Sequence, residues 1–138
     1  MNVRKKTYGL NFPFYDSNNG DFLKLTQTIE AEVKSDLIHL LLTRKGSRYF
    51  LPDFGTNLYQ YIFEPLDDII IQKIEDEINN AVEKFIPNLQ INKINITKFY
   101  NNIDYVSDDK KQHSVTINID YTVNFRTFES SDIITLTL

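Results

Sequence analysis

The sequence predicts an α+β fold in which helices pack on one face of a small antiparallel sheet. Two observations support this prediction. Before Pro87, apolar residues recur at the 3.6-residue spacing of helices, and after Pro87 they alternate with polar residues as in half-buried strands. Helices that precede strands in one chain are typical of α+β domains, and 138 residues are enough for one hydrophobic core.

Residues 1–24 are predicted to form an irregular N-terminal arm, followed by a single α+β domain over residues 25–138. Gly9, Pro13 and the turn-forming residues 16–20 interrupt any regular spacing in the arm. We expect its aromatic side chains to anchor it to the domain. These side chains are Phe12, Phe14, Tyr15 and Phe22.

The first helix is predicted from about Thr26 to Lys45. Gly46 can take the left-handed conformation that often follows a last helical turn, and the basic residues before it suit the negative end of the helix dipole. Five apolar residues lie along one stripe of this helix, away from its charged side chains. The stripe consists of Ile29, Val33, Leu37, Leu40 and Leu41.

Two more helices are predicted before the strands. Thr56 or Asn57 can cap a short helix, which must end before Pro65 because the residue preceding a proline is pushed out of the helical conformation. A second long helix begins at Asp67 or Asp68 and continues to the next proline. Its apolar stripe is Ile70, Ile74, Ile78, Ala81, Val82 and Phe85.

The C-terminal part of the chain has the two-residue period of strands. The alternation slips by one residue at 92–93, which predicts a β-bulge, and then runs unbroken through residues 115–125. The opposite side chains of that strand are polar, so we expect one buried face and one wet face. A last β-rich run covers residues 133–138. That run follows residues 128–132, and turns are expected at residues 101–102 and 107–111.

Composition and charge exclude several classes of function. The formal net charge is −4, and basic and acidic residues are mixed along the chain, so no basic stripe indicates a nucleic-acid interface. The chain has no cysteine, which excludes disulfides and thiolate chemistry and is compatible with a reducing cytoplasm. No window has the length of a membrane span. We therefore expect neither nucleic acid nor a membrane as a partner.

Residue patterns for catalysis or metal binding are weak. Glu32 and Asp36 could be an acid pair on the first helix, but carboxylates four residues apart usually form a solvated helix face. His39 and His113 lie in different elements without a neighbouring ligand, and Ser47 has no base beside it in sequence. The sequence therefore predicts no catalytic residue, no cofactor, no metal and no small-molecule substrate.

Two segments have the character of recognition surfaces. Residues 43–55 combine basic, glycine, proline and aromatic residues, although a simple helix stop followed by a packed turn would also explain them. In that second interpretation, Arg48 forms an ion pair with Asp53 or Glu64. The run 133–138 carries no lysine or proline that would protect a sheet edge, so it is either an ordinary edge strand or an acceptor for a partner's strand.

A family resemblance joins these segments. Residues 37–64 read Leu-Ile-His-Leu-Leu-Leu-Thr-Arg-Lys-Gly-Ser-Arg-Tyr-Phe-Leu-Pro-Asp-Phe-Gly-Thr-Asn-Leu-Tyr-Gln-Tyr-Ile-Phe-Glu. A helix ending in Thr-Arg-x-Gly-x-Arg, then Pro-x-(Phe or Tyr)-Gly, then Leu and Phe-Glu, resembles the baseplate wedge family of contractile phage tails, which includes phage protein W and the T4-type wedge protein. The secretion component TssE is similar. The resemblance covers about residues 25–126.

The resemblance implies a structural role in the tail baseplate of a virion that is assembled in the host cytoplasm. The implied partners are other baseplate wedge proteins and the tail sheath protein, whose first subunits would add strands to this protein's sheet. The alternatives are a peptidoglycan-cleaving tail lysozyme, since some family members are labelled lysozyme-like, and the equivalent component of a bacterial contractile secretion system. The implied partner-binding residues are Arg44, Gly46, Arg48, Pro52, Asp53, Phe54, Gly55, Pro87, Ile133, Thr135 and Leu136.

The sequence departs from the family pattern at one place. Family members often carry Glu-Pro-Arg after the second long helix, where the motif is implicated in gripping the wedge core. Here the matching residues are Ile86, Pro87 and Asn88, so only the proline is kept. The lysozyme label is not carried over, because the sequence lacks a convincing carboxylate pair and has no tryptophan to line a sugar cleft.

Overall fold

The computed structural model describes residues 6–17, 23–100, 113–125 and 128–138, with residues 98–100, 113–114, 125 and 128–129 described by their backbone only. The predicted anchor Phe22 and the predicted turns at residues 101–102 and 107–111 lie outside this part of the chain. None of the helices in the described ranges is long and apolar enough to cross a bilayer.

The N-terminal arm contains a short strand that the sequence did not predict. Strand β1, Gly9–Leu10, pairs antiparallel with β2, Leu25–Thr26. Phe12 is an anchor as expected, because its N–H donates to Ser35 Oγ at 3.1 Å and its ring stacks on His39. The other two predicted anchors in the described part of the arm are exposed, so the prediction that they anchor it is wrong. They are Phe14 and Tyr15.

Helix α1 spans Ile29–Leu42, which is shorter at both ends than predicted. Its N-cap is Thr28, whose hydroxyl accepts the Ala31 N–H at 3.2 Å, whereas Thr26 is used by β2. At the other end the Thr43 backbone is extended, so the helix stops before the basic residues and before Gly46. The backbone groups at the end of α1 bond to the segment that follows the loop, so the helix ends before it reaches Gly46.

The next elements follow the sequence closely. A 3-10 helix covers Leu58–Phe63, with Asn57 at its N-terminus but without a side-chain cap. Helix α2 spans Asp68–Phe85, and Asp67 Oδ1 caps it by accepting the Ile70 N–H at 2.8 Å. The chain then turns at Pro87 into the first long strand.

Three antiparallel strands form the main sheet, in the order β3 (Leu89–Tyr100), β4 (His113–Phe125) and β5 (Phe128–Thr137). The register of β3 against β4 shifts between Ile91 and Lys93, which confirms the predicted bulge. Strand β5 begins at Phe128, five residues before the β-rich run that the sequence predicts, and it pairs with β4 up to Phe125. Cross-strand pairing outweighs the turn preference of the two serines there.

The core lies between the two long helices and one face of this sheet, which confirms the predicted α+β class. The opposite face of the sheet is more polar, but it is not uniformly wet. Thr122 is buried there, where its hydroxyl accepts a hydrogen bond from Asn92 Nδ2 at 2.8 Å and lies 3.2 Å from Ser131 Oγ. The most deeply buried apolar side chains are Leu37, Leu40, Leu41, Leu58, Ile74, Ile78, Ile117, Ile119 and Tyr121.

We predict that Asp67→Ala lowers the free energy of unfolding by about 1 kcal/mol, because it removes the side-chain cap of α2. Asp68→Ala is the matched control, since it removes a first-turn charge without removing the cap, for a loss of ~0.5 kcal/mol. Urea denaturation of both variants measures the difference. Equal losses would contradict the assignment of the cap to Asp67.

Candidate partner-binding surfaces

Residues 43–55, called the motif loop below, are closed on themselves by backbone hydrogen bonds. Arg44 lies in a parallel bridge with Thr56, and the Thr56 N–H donates to Thr43 O at 2.8 Å. Further out, the Gly46 N–H donates to Pro52 O at 2.8 Å. The chain therefore projects as a closed tip between Gly46 and Pro52.

Two glycines of the motif loop have left-handed backbone conformations, for different reasons. Gly55 has φ = 111°, and a Cβ placed on it would lie 2.3 Å from Thr43 O. Gly46 has φ = 84°, but a Cβ there would meet nothing within 4 Å. The close approach of Gly55 to the end of α1 thus requires glycine for space as well as for conformation.

Aromatic contacts hold the base of the motif loop against the rest of the protein. Phe54 packs between His39 of α1, at 5.4 Å between ring centroids, and Phe85 of α2, at 5.1 Å. Phe12 of the arm stacks on the other side of His39 at 5.0 Å. The Arg48 guanidinium lies over the Phe54 ring, 4.6 Å from its centroid. One line of aromatic rings therefore joins the arm, both long helices and the loop.

The charged groups of the motif loop also have defined neighbours. Asp53 forms an exposed ion pair with Lys84 of α2 at 3.3 Å, so the alternative in which Arg48 pairs with Asp53 is wrong. Burial, and then the positive charge of Arg48, lower the pKa of His39 below its ordinary value. His39 is therefore favoured as the neutral ring between its two aromatic neighbours.

The tip of the motif loop presents apolar side chains to solvent. Tyr49 and Phe50 are 91% and 94% exposed, and their rings meet edge to face at 5.1 Å. Leu51 is also exposed. The aromatic content of the loop is visible in the sequence, but Tyr49, Phe50 and Leu51 are not among the predicted partner-binding residues. Their exposure follows from the closure at Gly46 and Pro52, which no local pattern reveals.

A groove of about 490 Å³ separates the motif loop and the 3-10 helix from α2. Its walls carry mixed charges and amides. One carboxylate is already engaged, since Glu77 Oε1 accepts the Asn57 N–H at 2.6 Å and Glu77 Oε2 accepts the Tyr61 hydroxyl at 3.2 Å. These bonds fix the 3-10 helix on α2. The walls of the groove are therefore also the elements that hold the motif loop in place.

The second surface is the free edge of β5. The Leu138 and Val115 backbones exchange hydrogen bonds, at 2.9 and 3.2 Å, which fixes which residues of β5 bond to β4. In the antiparallel register, the N–H and C=O groups of the alternate residues point away from β4, to the edge. These residues are Ser131, Ile133, Thr135 and Thr137. Leu136, also predicted for this surface, is buried and its backbone faces β4.

The family model for "Baseplate wedge protein gp25" matches residues 27–127. The chain belongs to this baseplate wedge family. The predicted resemblance is confirmed.

Relatives of known name or structure agree with this membership. The baseplate wedge protein gp25 of Enterobacteria phage T4 is 32% identical over 88 residues, which are 64% of this chain and 65% of the T4 protein. The chain thus matches slightly less than two thirds of that relative's length.

Solved structures show the same fold. A Geobacter sulfurreducens protein described as a candidate tail lysozyme has a TM-score of 0.58 at 18% identity, over 83% of this chain and 96% of that one. A chain of the anti-feeding prophage baseplate has a TM-score of 0.57 at 17% identity, over 91% of this chain and 81% of that one. At these identities the likeness is one of fold.

The departure from the family's Glu-Pro-Arg pattern lies in an exposed turn. Ile86 ends α2, and its carbonyl accepts the Leu89 N–H at 3.0 Å. Asn88 O accepts the Asn124 N–H at 2.9 Å, so the turn is tied to β4. Pro87 lies exposed between them, two residues after the Phe85 ring that contacts the motif loop.

The carboxylates considered for catalysis have structural partners. Glu32 accepts a hydrogen bond from the Thr26 hydroxyl of β2 and lies against Gly9 of β1. Burial, and then the negative charge of Glu32, raise the pKa of Asp36. Within the described ranges, no cluster of three or more His, Asp or Glu side chains could hold a metal ion.

We predict that Gly55→Ala destabilises the protein far more than Gly46→Ala does. Both substitutions place a Cβ at positive φ, which costs about 1–2 kcal/mol, but only the first also meets the Thr43 carbonyl. Chemical denaturation of the two variants measures the difference. Equal losses would show that the close approach of Gly55 to Thr43 does not constrain the fold.

Proposed function

We propose that this protein is a structural, non-enzymatic component of a contractile-tail baseplate in the virion. Its motif loop would bind other baseplate wedge proteins, and its β5 edge would accept a strand from a tail sheath subunit. Membership of the baseplate wedge family supports the structural role.

The exposed tip of the motif loop is the observation that supports the wedge contact. An isolated protein gains nothing by holding two large rings in water, whereas such rings are typical central residues of protein interfaces. The predicted partner-binding residues of the loop take several roles in this proposal. Gly46, Pro52 and Gly55 shape the loop, and Phe54 and Asp53 hold it on the helices. Arg44 precedes the tip, and Arg48 lies over Phe54.

The free edge of β5 supports the sheath contact. Its alternate N–H and C=O groups are aligned along one side of the sheet with no strand beside them among the described residues. A partner strand added there would form main-chain hydrogen bonds, and its side chains would lie beside Ile133 and Thr135. Neither residue is needed for the core, since both are exposed.

The contacts of the Glu32 carboxylate support the proposal that the protein is not an enzyme. The Glu32 carboxylate accepts a hydrogen bond from Thr26 and lies against Gly9 of the arm, so it joins β1 and β2 to α1. The sequence-based alternative of a tail lysozyme requires two carboxyl groups that face each other across a sugar-binding cleft. In the groove between the motif loop and α2, Glu77 is bonded to Asn57 and Tyr61, and Asp53 is paired with Lys84.

We predict that Phe50→Ser weakens binding of the protein to the other wedge proteins by about 30-fold, or ~2 kcal/mol, the effect of removing a central interface aromatic. Its free energy of unfolding should change by no more than about 0.5 kcal/mol, because the ring is exposed. Co-purification of tagged variants with the wedge proteins, followed by titration, measures the first effect.

The matched control for this prediction is Ile69→Ser. Ile69 is also a large exposed apolar residue, 65% exposed in the first turn of α2, but it lies outside the motif loop. Wild-type affinity for Phe50→Ser, or an equal loss for Ile69→Ser, would argue against the loop tip as the wedge-binding surface.

We also predict that Thr135→Pro prevents sheath polymerisation on the baseplate without unfolding the protein. The Thr135 N–H points to the free edge, so proline removes a donor for a partner and leaves the bonds between β4 and β5 in place. Sheath assembly is scored by electron microscopy of tails that carry the variant.

Thr135→Ala is the control, since it loses the same side chain but keeps the N–H. It should support sheath assembly as the wild-type protein does. Normal assembly with Thr135→Pro, in a variant whose circular dichroism is unchanged, would reject the β5 edge as the site of strand addition.

A further inference from the structure

Asp132 interrupts the free edge of β5. Its Oδ1 atom accepts the N–H of Ile133 at 2.8 Å. Its Oδ2 atom accepts a hydrogen bond from Lys34 Nζ of α1 at 2.7 Å and lies 3.5 Å from the Tyr121 hydroxyl. The carboxylate therefore bridges the first helix and the outermost strand while it occupies one edge donor.

The position of that donor matters for strand addition. Ile133 is one of the residues whose N–H and C=O face the edge, so its N–H would donate to a partner strand in a continuous ladder. With Asp132 in place, a partner carbonyl at this point would meet a carboxylate oxygen instead of a donor. The partner's carbonyl would lose its hydrogen bond, and the two oxygen atoms would repel each other.

Lys34 helps to hold the carboxylate in this position. Partial burial opposes the charge of Asp132, but the hydrogen bonds from Lys34 and from the Ile133 N–H outweigh it, and the pKa of Asp132 is lowered. Asp132 is therefore held in the charged form that accepts both bonds.

We propose that Asp132 determines the register in which a partner strand adds to β5. The partner is confined to the C-terminal part of the edge, from the Ile133 carbonyl through Thr137. This inference rests on the proposed function of the β5 edge and adds the position at which the added strand must stop.

The same geometry describes the partner strand. Its residue opposite Ile133 would be apolar, because Ile133 is 59% exposed on the outer face of the sheet and directly opposed side chains contact each other. Its residues opposite Thr135 and Thr137 would be small, polar or β-branched. An extended segment with this alternation, in the arm of a sheath subunit, fits the edge.

Amide hydrogen exchange in the isolated protein tests the bond between Asp132 and the Ile133 N–H without a partner. We predict that the Ile133 amide exchanges more slowly than those of Thr135 and Thr137 and that Asp132→Ala raises its rate to theirs. Lys34→Ala should raise the Ile133 rate partially, because it frees one of the two carboxylate oxygens. Equal rates at the three amides of the wild-type protein would overturn the inference.

Disulfide cross-linking tests the register, since the chain has no cysteine of its own. Ser131→Cys and Thr135→Cys are combined with single cysteines along the arm of a sheath subunit. In the otherwise wild-type protein only Thr135→Cys should cross-link, and with Asp132→Ala both should. Cross-linking of both positions without that change would overturn the register, whereas no cross-link at either position would reject the β5 edge itself.

Discussion

The backbone bonds around Thr56 constrain much of the rest of the structure. Thr56 is buried, its hydroxyl donates to Leu41 O at 2.8 Å, and its N–H and C=O bond to Thr43 and Lys45. These bonds use groups that a longer α1 would have kept for itself, so they end the helix. They also bring Gly55 against Thr43 and direct the motif loop outward. The bonds of Thr56 thus explain both the end of α1 and the outward direction of the motif loop.

Sequence reasoning reached the elements whose signals are local. The bulge near Lys93 appears as a slip in alternation, and the cap at Asp67 appears as an acidic residue before an apolar stripe. It failed where contacts between residues far apart in the sequence determine the bounds of an element. Residues 128–132 have turn composition but pair with β4, and α1 stops before Gly46 because Thr56 competes for its last backbone groups.

The candidate surfaces show the same division. The family motif located the loop, because its order of residues is long and specific, but its most exposed side chains, Tyr49 and Phe50, stand out only once the loop is folded. The β5 edge was predicted from the absence of lysine and proline. The residue that divides it, Asp132, was placed just before the predicted strand, and its contact with Lys34 is not visible in the sequence because it joins residues 98 positions apart.

Helix α1 connects the two proposed surfaces. Lys34 holds Asp132 at the β5 edge, and His39, five residues further along the same helix, packs on Phe54 at the base of the motif loop. At 1.5 Å per residue, these positions are only about 7.5 Å apart along the helix axis. Leu37, between these positions, and Leu40, next to His39, are fully buried, so both contacts are made by one helix that is packed into the core. In the proposed function, this helix therefore supports both the loop that would bind a wedge protein and the edge on which the first sheath strand would add.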